Sequence, residues 1–221
     1  MTLFRIGSFL LLLVFASCTP LFRPYTCGPV LKEDQIQIFN SVNKFLDIQP
    51  GDTYADVGSS SGYYVGAMAV FLDSVDFYLQ DIDANCLNKK NVDRVLKYYS
   101  RFRSVPIEQT NNFHITIGSE KQTNLPDDTF DQIYSNATFH VLNYPDSVMR
   151  DLHLKLKDDG HLFIRDEFAY NGETKYCESK DCKMPLPQYQ DFLTIMQRNG
   201  FKLVDESNDV GSYPIYKFAK R

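Results

Sequence analysis

Strands alternating with helices of ten to sixteen residues predict an α/β fold, a doubly wound, mostly parallel sheet with helices on both faces. Two further observations point the same way. A short apolar run, Thr53 to Val57, ends in the bare turn "GSSSG", and a helical pattern follows. A second run ends on an acid, Asp81, about 20 residues beyond that turn, the spacing at which a carboxylate meets a ribose in nucleotide-binding sheets.

The elements follow in order. Apolar residues at Ile36, Phe39, Val42, Phe45 and Leu46 predict a helix over Leu31 to Leu46. "QPGD" stops it. After the Thr53–Val57 strand and the glycine turn, Tyr63 to Leu72 reads as a helix of small residues and Ser74 to Gln80 as a strand. Ala84 to Tyr99 is amphipathic. Phe113 to Ile117 and Phe130 to Ser135 read as strands, separated by the turn "LPDD". Pro145 to Leu156 reads as a helix led by proline, which suits a first helical position. "KDDG" closes it, and His161 to Phe168 reads as the next strand. A helix over Pro187 to Arg198 stops at Gly200, and strands over Phe201 to Glu206 and Ile215 to Ala219 finish the chain.

The 221 residues suit one domain with a sizeable core, and 43% apolar against 23% charged residues is a globular balance. The net charge of −5 disfavours a nucleic-acid groove, because phosphate contacts need a basic face.

The chain opens "MTLFRIGSFLLLLVFASC". Arg5 is a minimal positive region, Phe9 to Phe15 a short apolar one, and Ala16 and Ser17 are small residues before Cys18. This predicts a signal peptide over residues 1–17, too short to span a membrane. "FASC" resembles the lipobox of bacterial lipoproteins, although Phe15 replaces the usual aliphatic residue. The resemblance implies lipidation at Cys18 and an exported, membrane-anchored protein, periplasm-facing or on the outer membrane. An ordinary cleaved signal or an uncleaved anchor is the other reading. Residues 18–30 hold Pro20, Pro24, Gly28 and Pro29 and read as an extended tether, so the folded domain is expected over residues 31–221.

Of the remaining cysteines, Cys177 and Cys182 flank "ESKD" in a polar loop and are the expected disulfide. A metal site would need two more ligands, and no histidine lies near in sequence. No metal is expected.

In a parallel sheet ligands bind beyond the carboxyl ends of the strands. That selects Gly58 to Gly62, Asp81 with Ile82, Ser119 and Glu120, Asn136 to His140, and Asp166 to Tyr170. Gly58 suits a tight turn and Gly62 a close approach of helix to strand. The N–H groups there attract an anion. Asp56 precedes the turn. The glycine spacing is not that of dinucleotide-binding enzymes, and no Walker lysine is present. A plain βα turn with a solvated acid is the bland alternative.

Taken together, four stretches are more specific. "YADVGSSSGYY" resembles the first motif of class I S-adenosylmethionine-dependent methyltransferases. "FYLQDID" resembles their second-strand acidic motif, "GSEKQTNLPDDTFDQIYSNATFHVL" their fourth-strand region, and "LKLKDDGHLFIRDEF" their fifth strand with its preceding helix. "NGFKLVDE" extends the likeness. The resemblance implies a Rossmann-like seven-stranded sheet with an antiparallel last strand. It implies S-adenosyl-L-methionine as cofactor, with Gly58 to Gly62 at its methionine part, Asp81 at its ribose, and Ser119 or Glu120 at its adenine. Ser60 stands where the family carries a glycine.

Methyl transfer needs a nucleophile held in line with a sulfonium methyl, and a base where that nucleophile starts protonated. Of the four histidines only His140 follows a strand at the ligand edge, and it is the candidate base; a packed or capping histidine is the alternative. Asn136 could hold substrate or cofactor. Asp166, Glu167 and Tyr170 could contact a substrate, or form a solvated rim. The expected function is a tethered methyltransferase acting on a small molecule. A non-catalytic lipoprotein that binds a nucleoside-like ligand is the competing reading, and a dinucleotide-dependent reductase a third.

Overall fold

The computed structural model describes residues 27–28, 30–177, 184–207 and 213–221. The predicted signal, the expected lipidation site Cys18 and most of the expected tether lie outside them, as does Cys182.

Seven strands form one sheet: β1 (Thr53–Val57), β2 (Asp76–Asp81), β3 (Asn112–Ile117), β4 (Phe130–Asn136), β5 (Leu156–Arg165), β6 (Phe201–Ser207) and β7 (Ile215–Lys220). Their order is β3-β2-β1-β4-β5-β7-β6. The pairings from β3 to β5 are parallel, and β7 runs antiparallel to both β5 and β6. This is the predicted seven-stranded fold. Its order reverses between β1 and β4, which opens a crevice at their carboxyl ends.

Side chains alternate between the faces of the sheet, and each face is buried by helices. On one, Tyr54, Phe77, Leu79, Tyr134 and Phe163 meet α1 (Glu33–Ile36), α2 (Ile38–Leu46), α3 (Tyr63–Ala69), α4 (Lys89–Tyr99) and α5 (Ile107–Thr110). On the other, Ala55, Val57, Ile133, Leu162, Ile164 and Phe218 meet α6 (Pro145–Lys155) and α7 (Tyr189–Arg198). Arg198 and Asp146 pair between these two helices. Among the described residues no helix is long and apolar enough to cross a membrane.

Several boundaries differ from those predicted, for identifiable reasons. The first helix is broken at Gln37 into α1 and α2. Helix α4 starts at Lys89 rather than Ala84, because Asn88 caps it by accepting from the Asn91 N–H. Strand β5 starts at Leu156, so "KDDG" belongs to it and does not form a turn. There Lys157 pairs with Asp131 at 2.8 Å, and Gly160 packs so closely that a Cβ would lie 2.6 Å from the Phe130 carbonyl oxygen. The end of the stretch read as a tether is anchored to the domain. Val30 and Leu31 pack on the core, the Leu31 N–H donates to the Tyr99 hydroxyl, and Cys27 is bonded to Cys86.

Candidate active site

The turn after β1 is built on left-handed backbone at Gly58 (φ 83°), Ser60 (φ 53°) and Gly62 (φ 79°). Glycine adopts this region freely; serine at Ser60 does so at a cost of about 1–2 kcal/mol. Gly62 is also required by packing, since a Cβ would lie 2.4 Å from Leu79 Cδ2. The Gly58 and Ser59 N–H groups both donate to the Gln80 carbonyl at 2.9 Å, which ties the turn to β2.

Asp81 ends β2 beside that turn. Its Oδ2 accepts from the Ser60 N–H at 2.7 Å and its Oδ1 from the Asp83 N–H at 3.0 Å. A cleft of about 200 Å³ opens next to it. Gly58, Asp81 and Ile82 form one wall, Ser119 and Glu120 another, and Thr138 with Val141 to Asn143 the third. Asn143 Nδ2 reaches Glu120 Oε1 at 3.4 Å across the mouth.

Asp56 lies below the turn, only 3% exposed. Burial pushes its carboxyl up to about 7; the Ser59 hydroxyl eases the shift and the Asp81 charge adds to it. Beyond β4, the His140 Nδ1 meets Asp166 Oδ1 at 2.7 Å, and the His140 backbone N–H donates to Asp166 Oδ2 at 3.0 Å. Asp166 is 2% exposed. Its hydrogen bond raises the His140 pKa above 6.5, against the opposing effect of burial. The ring therefore carries its Nδ1 proton toward a fixed carboxylate, which sets tautomer and orientation together.

The sequence matches the Methyltransferase domain family over residues 31–206. The chain belongs to that family. Solved structures share the fold. A SAM-dependent methyltransferase from Aquifex aeolicus is 20% identical, with a TM-score of 0.60 over 85% of this chain and 93% of that one. A TehB-like SAM-dependent methyltransferase from Corynebacterium glutamicum is 18% identical, with a TM-score of 0.52 over 85% and 87%. A phosphoethanolamine N-methyltransferase from Haemonchus contortus, solved with phosphomonomethylethanolamine and S-adenosylhomocysteine, is 14% identical, with a TM-score of 0.57 over 78% and 38%. No curated protein matches the sequence.

Within this methyltransferase domain the structure brings Gly58, Asp81, Ile82, Ser119 and Glu120 to one cleft. Ser60 reaches it through Asp81, whereas Asp56 and Gly62 support the turn from beneath. Asn136 stands at the end of β4, its Oδ1 accepting from the Tyr134 hydroxyl. Asp166 is turned inward onto His140. Glu167 pairs with Lys175 at 2.6 Å. Tyr170 joins an aromatic cluster with Tyr189 and Tyr216, its hydroxyl 3.2 Å from that of Tyr216. Cys177 is disulfide-bonded, and its expected partner Cys182 is outside the described residues. Thr138 lies within the Asn136 to His140 stretch selected from the sequence; sequence reading missed Val141, Leu142 and Asn143, just beyond it. It also missed the Cys27–Cys86 disulfide, 59 residues apart. Among the described residues no cluster of three or more His, Cys, Asp or Glu is arranged to hold a metal ion.

Proposed function

We propose that the chain is an S-adenosyl-L-methionine-dependent methyltransferase for a small acceptor, tethered to a membrane through a lipid on Cys18. The observation that carries the cofactor assignment is the Asp81 carboxylate at the wall of the cleft, in a chain of this family. The residues fit the group. Asp81 offers an acceptor for two ribose hydroxyls, Ser119 and Glu120 offer polar partners for an adenine edge, and the turn from Gly58 to Gly62 would hold the methionine end.

When bound, the cofactor supplies an electrophilic methyl on sulfur. The chain's own residues do the rest. The cleft walls at Val141, Leu142 and Val148 present apolar surface to whatever binds there. His140, held through Nδ1, moves a proton at Nε2 when the acceptor loses one, and Asp166 stabilises the imidazolium that results.

The Cys27–Cys86 disulfide supports export, because such bonds persist in oxidising compartments. Titration calorimetry tests the cofactor reading. S-adenosylhomocysteine should bind with a dissociation constant on the order of micromolar and NAD should give no heat. Binding of NAD, or of neither, would overturn it.

A further inference from the structure

Among the described residues Arg165 belongs to no ion pair. It ends β5, where it pairs in register with Asn136 on one side and Ile215 on the other. Side chains alternate along a strand, so Arg165 stands on the same face as Phe163, and Asn136 on the same face as Tyr134. Asp56 is the register partner of Tyr134. Three strand ends thus bring Asp56, Tyr134, Asn136 and Arg165 to one polar corner of the rim.

Arg165 Nε is buried and has no hydrogen-bond partner. Asp56 forms no ion pair with it, and burial pushes that carboxyl up to about 7, with the Asp81 charge adding to the shift and the Ser59 hydroxyl opposing it. The group nearest in effect is the Tyr134 phenol, a neutral partner that burial pushes up and the guanidinium partly pulls back. A guanidinium has five donors in a rigid fork. Leaving a buried donor unmade is costly, and a ligand is one of the partners that can satisfy such a group.

We propose that Arg165 anchors the methyl acceptor through an oxyanion, a carboxylate or a phosphate. The inference rests on the methyl-transfer reading above. It makes the acceptor an anionic small molecule, clamped at the end of β5. The next residue, Asp166, holds the candidate base His140 from the other face of the same strand end.

The test uses the full chain with 15N-labelled arginine, the Arg165 Nε–H signal being the one lost in Arg165→Lys. Inorganic phosphate and benzoate serve as probes, each titrated with and without saturating S-adenosylhomocysteine. The signal should move saturably with at least one anion in both conditions. Arg165→Lys, which keeps the charge but loses the fork, should weaken that binding at least tenfold and change S-adenosylhomocysteine affinity less than twofold. No movement with either anion overturns the proposal. So does a shift caused by S-adenosylhomocysteine alone that abolishes the anion response, because the oxyanion would then be the cofactor's own carboxylate. Failure of the methyl-transfer reading shows separately, as a wild type that binds no S-adenosylhomocysteine; the titrations without it still decide the anion site.

Discussion

The Ser60 backbone N–H donates to the Asp81 carboxylate at 2.7 Å, so the glycine turn and the acid at the end of β2 are one unit. The left-handed backbone at Ser60 aims that N–H, and the family's glycine position is filled here by a residue that adopts the conformation at a cost. Ser60→Gly removes the strain but adds freedom to the unfolded chain, two terms of about 1 kcal/mol with opposite sign. Stability measured by urea melts should change by less than about 1 kcal/mol, and S-adenosylhomocysteine affinity by less than about fivefold. A hundredfold gain in affinity would mean that the natural serine damages the pocket, and would favour a non-catalytic binding protein.

Gly62 is the opposite case. An alanine there meets Leu79 at 2.4 Å on a backbone with φ 79°. Overpacking and strain together should cost about 2–4 kcal/mol. A Gly62→Ala variant that melts like the wild type would refute this packing.

Asp56 gives the fold a pH dependence. Its carboxyl has a folded value of about 7 against 3.8 unfolded, so between those values the folded state binds more protons. Stability should therefore fall as pH rises from 4 to 7 and level off above, by an amount on the order of a few kcal/mol. Asp56→Asn should flatten this part of the curve and be the more stable protein at pH 8. Superimposable curves would contradict the burial argument.

His140 carries the reverse sign. The Asp166 bond raises its pKa, so the stability the pair contributes is fully present below pH 6.5 and lost as pH rises through the folded value. In Asp166→Asn the His140 ring, followed by NMR, should titrate lower than in the wild type. An unchanged titration would show that the carboxylate does not govern the ring.

Much of this was legible in the sequence, and the remainder fails for physical reasons. Strands β1 and β4 are mostly buried, and the sequence reading placed β1 as found and β4 one residue short of Asn136. It missed the start of β5, because Lys157 and Gly160 are held by long-range partners that composition does not announce. At the site, Asp81 and Glu120 were readable from their place after strands. Asp166 read as a rim acid, yet it faces His140 across 26 residues of sequence. Arg165 was hidden in a charged strand end, where an unpaired cation and a solvated one look alike. Cys27 and Cys86 lie 59 residues apart, a separation that carries no pairing signal.

That disulfide should matter for stability. Closing a loop of this length removes about 4 kcal/mol of unfolded-state entropy by the chain-entropy argument. Cys86→Ser should lower the melting temperature by roughly 10 °C. A shift under about 2 °C would show that the tether end is not held by it.

The account stands most directly on Asp81 as the ribose acceptor. Paired calorimetric titrations of wild type and Asp81→Asn with S-adenosylhomocysteine measure this, with circular dichroism establishing that both are folded. Losing two hydrogen bonds to a charged group, each about 1.5–3 kcal/mol, predicts that the variant binds at least tenfold more weakly. Equal affinities in two folded proteins would contradict the assignment of this cleft to the cofactor.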